Sequence, residues 1–532
     1  MPSTAFDIVT IPFADALLDE TVLLPGFSEA APVELARGRN EFNAVELTTS
    51  SVEMENGLLP TSIETLEDEG DRLARSVPAA DVITDASMAA AEGGEARVLK
   101  VTITRDENDG SAERGRGLSL RDAVLIANST PEDEIIELES GRTYNLSIEG
   151  KDPGGIFDER DPSLLGDLDV ASTGGTLTIR TTGEAKATID ANQIHRIIQV
   201  RDDFRDNAAT LIVENLILTG GRAVEDDTLD DGGGAILVDE DARLEISDSI
   251  ITGNDAGNSF IPEGGGIANK GIATIARTTF TNNTAGDGGG LFSSYAVTTV
   301  TDSTFENNTA SRPSSNSNLG SGGGAIQSGP GLLEIIDSTF TDNSAGFRGG
   351  GIAGVDNLAS KGTLIVTNSS ITNNTGSSGA GVGIGGVEEA AINGSTIENN
   401  SSTGNGGGIG VISVLDTVTI SNSSVSNNTA AASGGGLNLS GTITIRNAEI
   451  ANNSAGGDGG GINDSFATVT LDDSTIAGNT ATGAGGGMKG GSITRNTTIR
   501  DNEAGGLGGG ISTISPGVIL NRTIRGNSSG VS

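Results

Sequence analysis

Thr279-Phe-Thr-Asn-Asn-Thr-Ala-Gly-Asp-Gly-Gly-Gly-Leu291 and Glu449-Ile-Ala-Asn-Asn-Ser-Ala-Gly-Gly-Asp-Gly-Gly-Gly-Ile462 are two copies of one unit. Its fixed point is an Asn, recurring as Asn254, Asn283, Asn308, Asn343, Asn374, Asn400, Asn428, Asn453, Asn479, Asn502 and Asn527. Three residues before each stands an apolar side chain: Ile251, Phe280, Phe305, Phe340, Ile371, Ile397, Val425, Ile450, Ile476, Ile499 and Ile524. A period of about 25 residues, with insertions of variable length, is the mark of a solenoid whose loops leave the coil on one side.

The unit also indicates the kind of solenoid. Each copy carries a short β-rich run such as Val418-Thr-Ile420 or Ile443-Thr-Ile445, then the apolar-x-x-Asn segment, then a Gly-rich turn opening onto an apolar residue. Three short alternating runs per unit, with no ten-residue stretch of helical period, argue for strands and against helix pairs and leucine-rich repeats. If each unit makes one lap, equivalent positions stack about 4.8 Å apart and equivalent strands pair in parallel. Phe280, Phe305, Phe340, Ile371, Ile397 and Ile450 then form an interior column. Asn283, Asn308, Asn343, Asn374, Asn400, Asn428 and Asn453 are expected to form an outer ladder at a bend where Asn tolerates unusual backbone angles, each amide donating to the next carbonyl. The Gly triplets supply positive φ and room for close stacking.

This pattern resembles the right-handed parallel β-helix proteins of the pectate-lyase-like superfamily, in particular bacterial surface proteins with Asn-Asn-x-Ala and Gly-Gly-Gly-Ile repeats. The resemblance implies an all-β, right-handed parallel β-helix. It leaves activity open, because that fold carries lyases, hydrolases, adhesins and inert spacers.

Composition sets further bounds. Gly makes up 80 of 532 residues and aromatic residues 3%, as suits tight coils filled by aliphatic side chains. With no Cys, disulfides, thiolate catalysis and Cys-bound metals are excluded. A net charge of -41 argues against nucleic acid as a partner, since phosphate binding needs a basic face, and suits a cloud of counter-ions, Ca²⁺ among them. No run of about 18 apolar residues appears, so no membrane span is expected. The first residues lack a basic start and a continuous apolar core, so no cleavable signal peptide is legible; an extracellular or cell-surface location follows from the resemblance alone.

Three regions are expected along the chain. Residues 1–95 are acidic and repeat-free, a composition typical of disorder unless a partner orders it. To residue 100 there are 19 acidic and 6 basic side chains. Residues 96–150 hold a strand (Val98–Ile103), a turn at Asp106–Gly110 and an amphipathic helix from Leu118 to Asn128. Leu120, Val124 and Ala127 share one side of that helix and Ser119 is its N-cap. This stretch resembles the CSLREA domain that precedes β-helices in many bacterial surface proteins. Leu118 stands where that family has Cys and Asp122 where it has Glu, so any role of the Cys is lost. The helix is expected to cover the apolar end and free strand edge of the first coil. Residues 151–532 are assigned to the β-helix. Its loop expansions at Glu225–Asp231, Asn258–Glu263, Ser311–Ser321 and Asp356–Gly362 offer a binding side.

Signs of chemistry are sparse. Asp226, Asp227, Asp230 and Asp231 are the candidate Ca²⁺ ligands, but a solvated acidic loop is the reading their pattern favours. Sugar clefts usually present aromatic platforms, yet there is no Trp and only Tyr144 and Tyr295. His195, the one histidine, has no Ser or Cys partner at a recognisable spacing. Asn-x-Thr/Ser triplets such as Asn282–Thr284 fit the glycosylation rule, but their periodicity is accounted for by the ladder. The reading is a non-enzymatic extracellular rod, structural or adhesive, with surface polysaccharide as one partner. The alternative is a Ca²⁺-dependent polysaccharide lyase or other carbohydrate-active enzyme on the same fold. Arg522 and Arg525, in a basic last stretch opposite an acidic first one, suggest end-to-end self-association into a filament or surface layer.

Overall fold

The computed structural model describes residues 96–108, 117–150, 165–171, 175–201, 208–223, 232–257, 262–312, 322–355, 362–412, 417–491, 493–513, 519–520 and 523–530. All strand pairs within it are parallel, each strand lying on its equivalent one lap away, with a shift of register only at Gly376–Ser378 and Asn438–Ser440. One lap consists of Leu291–Ser293, Ala296–Thr301, Thr304–Glu306 and Thr309–Ala310. The next lap lays Ile326–Ser328, Gly331–Ile336, Thr339–Thr341 and Ser344–Ala345 upon them. The protein is a right-handed parallel β-helix, the hand expected for parallel crossovers between twisted strands.

Four segments per lap make three sheets, of 26, 14 and 10 strands among the described residues. The largest holds two ladders separated by a corner. Leu437–Arg446 and Ile462–Asp472 run through that corner without a break and fuse the two. Alternation of side chains explains the packing: in Ala296–Thr301, Ala296, Thr298 and Val300 are buried while Val297, Thr299 and Thr301 face outward.

The interior column runs as expected and begins earlier than the repeats do. Tyr144 pairs with Ile189, Ile189 with Leu218, Leu218 with Ile251, and Ile251 with Phe280. Phe280, Phe305 and Phe340 are fully buried, with ring centroids 4.4 and 5.0 Å apart and planes within 10° of parallel. Ile371, Ile397, Val425 and Ile450 continue the column.

The Asn ladder corrects its expected position. Asn283, Asn308, Asn343, Asn374, Asn400, Asn428 and Asn453 are all buried, inside the coil. The left-handed backbone belongs to the residue before each: Asn282, Asn307, Asp342, Asn373, Asn399, Asn427 and Asn452, with φ between 55° and 57°. The physical reason is the alternation itself. A left-handed residue turns the corner with its own side chain in solvent, and the next side chain must then point inward. A second left-handed set, including Asp302, Asp337, Asn368, Asn422 and Asn447, turns the corner one strand earlier.

At the N-terminal end the helix Leu120–Ala127 covers the core. Ser119 caps it, accepting from the Asp122 N–H at 3.0 Å, and Leu120, Ala123, Val124 and Ala127 are buried. Arg97–Lys100 pairs with Glu134–Glu139 as the first strand pair of the described residues.

Candidate functional site

Asn343 illustrates the ladder's chemistry. Its Oδ1 accepts from the backbone N–H and the Nδ2 of Asn308, at 2.9 and 3.0 Å; its Nδ2 donates to the Phe305 carbonyl and to Asn374 Oδ1, at 2.9 and 3.0 Å. The same pattern repeats from Asn254 to Asn527. Each buried amide is thus satisfied by its neighbours in the stack, which is the condition for burying polar groups without a large penalty.

A second ladder, which the sequence reading above does not include, lies five residues earlier. The N–H of Thr278 donates to Ser303 Oγ, that of Ser303 to Ser338 Oγ, that of Ser338 to Ser369 Oγ and that of Ser369 to Ser395 Oγ, at 3.1 to 3.2 Å. Each of these hydroxyls donates in turn to the carbonyl two residues before it, as Ser303 does to Thr301. The signal was present: Ser or Thr stands five residues before most ladder Asn residues.

The cap holds a buried ion pair at Asp106, where a simple turn is expected from the sequence. Arg121 and Asp106 have fully buried side chains, joined at 2.8 Å (Nε–Oδ1) and 3.1 Å (Nη2–Oδ2). Arg121 also donates to the carbonyls of Gly166 and Asp167, while Asp106 accepts from the N–H groups of Ser147 and Ile148. The pair therefore ties the cap to two later segments of the first laps.

Elsewhere several charged groups are paired locally. Arg196 lies 3.2 Å from Asp167, Arg277 2.8 Å from Asp248, and Arg243 2.8 Å from Glu245. Asp287 is buried against Arg312 and accepts from the Gly322 N–H at 3.2 Å. Burial outweighs that help and pushes its carboxyl up to about 6. Burial likewise holds the half-buried His195 below the ordinary imidazole value. Among the described residues no group of three or more His, Asp or Glu side chains is placed to hold a metal ion.

The candidate residues fall in different places. Asp226, Asp227, Asp230, Asp231 and Arg522 lie outside the described residues, as does residue stretch 1–95. Arg525 is exposed on Thr523–Arg525, the last strand of its sheet, beside an exposed Ile524. Of the other basic residues near that end, Lys489 is paired with Asp458 and Arg500 with Asp501, so part of the positive charge is neutralised in place. Tyr144 is buried in the core column, its hydroxyl accepting from the Glu139 N–H; Tyr295 is exposed. No helix among the described residues is long and apolar enough to cross a membrane.

Fold and ladders together define a β-helical repeat protein. Residues 277–294 and 302–329 match the Chlamydia polymorphic membrane protein repeat. No curated protein sequence matches the chain. Among solved structures, the chain is similar to the A-module of mannuronan C-5 epimerase AlgE6 of Azotobacter vinelandii. The identity is 14% and the TM-score 0.28, over 76% of this chain and 95% of that one. It is also similar to PfbA, a surface adhesin of Streptococcus pneumoniae, at 12% identity and a TM-score of 0.31, over 77% of this chain and 87% of that one. At such TM-scores neither likeness bears on what this chain does.

Proposed function

We propose that the chain is a non-enzymatic, extracellular rod of the cell surface, structural or adhesive. The observation that supports this most is the continuity of its interior. The column from Tyr144 to Ile499 and the ladder from Asn254 to Asn527 run without a break, and charged side chains such as Arg196, Arg277 and Arg243 pair with carboxylates beside them. Such a body resists extension along its axis, because every lap is held by backbone ladders to the laps on both sides. Its outward columns of Thr, Ser, Asn and Asp offer a regular polar surface to a surface polysaccharide. Association with a second copy, through Leu520 and Ile524 where they stand open to solvent, is part of the same proposal.

One experiment separates this reading from the lyase reading. The purified protein is incubated with acidic polysaccharides, with and without Ca²⁺. Retention on the immobilised polymer without formation of unsaturated uronate products is expected; Ca²⁺-dependent product would overturn the rod in favour of an enzyme. Sedimentation across salt, pH and Ca²⁺ tests the association, and a monomer under every condition refutes it.

A further inference from the structure

Six Asn-x-Thr/Ser triplets fall at the same corner of successive laps: Asn282–Thr284, Asn307–Thr309, Asn373–Thr375, Asn399–Ser401, Asn427–Thr429 and Asn452–Ser454. The residue in the ladder is the middle one of each triplet, not the first. The first Asn is exposed in all six, turned into solvent by its left-handed backbone. The third residue, back on the outward phase, is exposed or half-buried in all six. Amide and hydroxyl therefore stand on the surface together while the residue between them is buried. Asn282, Asn307, Asn373, Asn399 and Asn452 make no side-chain hydrogen bond among the described residues; Asn427 donates to Glu398 Oε1 at 2.8 Å.

The fold does not require Asn at this corner. Asp342 and Asp501 occupy it with the same left-handed backbone, and Gly253, Gly478 and Gly526 also serve there. Turning the chain thus accounts for a residue that tolerates positive φ, and a Ser or Thr follows two positions later after Asp342, Gly478 and Gly526 as well; only where the corner residue is Asn is an acceptor triplet complete on the surface.

We propose that this exposed column is a site of N-linked glycosylation, with Asn282, Asn307, Asn373, Asn399 and Asn452 as acceptors, Asn427 as a hindered one, and a diphosphate-activated sugar as donor. In the transfer the acceptor Nδ2 forms a bond to the sugar C1. The bond from C1 to the diphosphate oxygen breaks, the diphosphate leaves with the electron pair, and the amide gives up one proton. Neighbouring laps are about 4.8 Å apart, about the width of one pyranose. Single sugars fit on consecutive laps, whereas branched oligosaccharides fit on alternate laps only. Asn373 and Asn399, on adjacent laps, would then not both carry an oligosaccharide. This inference does not depend on the adhesive reading.

The chain also contains its own control. Asn400 heads a second triplet, Asn400-Ser401-Ser402, but is 1% exposed and its Nδ2 is committed to Asn428 and to the Ile371 carbonyl. The test is site-resolved mass spectrometry of the protein isolated from its own cells. Sugar on each of the five exposed acceptors across the population, with none on Asn400, is expected; oligosaccharides occupy Asn373 and Asn399 in different molecules, single sugars in the same one. Bare Asn at all five, or equal occupancy of Asn399 and Asn400, overturns the proposal. A one-hexose increment identifies a nucleotide-activated donor, a repeat-unit increment a lipid-diphosphate donor, and each supports the assignment. In a second arm, the folded protein is given a soluble asparagine glucosyltransferase and UDP-glucose. Thr375→Ala, an exposed change, should abolish the adduct at Asn373 and leave the others. Failure to modify the folded protein, with matched peptides modified, overturns it too.

Discussion

Replacing Asn343 by Ala tests the buried ladder most directly. The side chain makes four hydrogen bonds, accepting two from Asn308 and donating to the Phe305 carbonyl and to Asn374 Oδ1. A buried hydrogen bond contributes about 1 kcal/mol net, and a donor stranded without water costs about 1–3 kcal/mol. The Asn308 N–H, fully enclosed, is left in that state. About 4–6 kcal/mol of local stability should be lost, within the range known for breaking a buried polar network. Repeat proteins open locally, so a single global unfolding energy is the wrong quantity. The assay is native-state hydrogen exchange across residues 305–310 and 340–345. A loss of about 4 kcal/mol raises exchange roughly a thousandfold, at 1.4 kcal/mol per decade. Asp342→Asn, on the exposed corner one residue earlier, is the control and should change exchange by less than about 0.5 kcal/mol. If Asn343→Ala raises exchange by less than tenfold, or no more than the control does, the ladder does not hold the laps together and the reasoning fails.

Phe305→Ala removes the middle ring of the buried stack and should destabilise its lap by about 3–5 kcal/mol; a loss below about 1 kcal/mol in native-state hydrogen exchange of that lap would contradict the close packing. Asp106→Asn leaves Arg121 buried without its counter-charge and should loosen the cap by about 3–5 kcal/mol, read as faster proteolysis near the helix, whereas a cap as resistant as before would show that the pair is dispensable. Asp287 gives a pH dependence. Its folded value of about 6 lies above the ordinary 3.8, so the folded state binds the proton more tightly. The resulting stabilisation is complete below about pH 4 and disappears as pH rises through 6, a change of about 3 kcal/mol. Stability of the parent relative to Asp287→Asn should therefore fall between pH 4 and 6; a difference that is flat or rises would refute the assignment.

Much of the fold was legible because a solenoid's long-range order is written in local repetition. Each lap rests on a copy of itself, so the position of Phe305 relative to Phe340 follows from sequence phase alone. The same holds for Leu120, Val124 and Ala127, whose spacing gave the capping helix and its buried side. Legibility stopped where a residue's partner has no fixed offset. Asp106 and Arg121 are not repeats of anything, and only folding brings them together. The Ser ladder is a different case: its signal was periodic, but Ser also suits turns and outward strand positions, which hid its burial.

The sequence by itself determined the lap length, the parallel stacking, the interior column and the helix at its end, because these depend on the period and the polarity of successive residues. Only the tertiary structure decided which Asn of each pair faces inward. Composition treats Asn282 and Asn283 alike, and a one-residue shift of phase exchanges core for solvent. The left-handed corner at Asn282 fixes that phase, sending Asn283 into the ladder and leaving Asn282 and Thr284 on the surface.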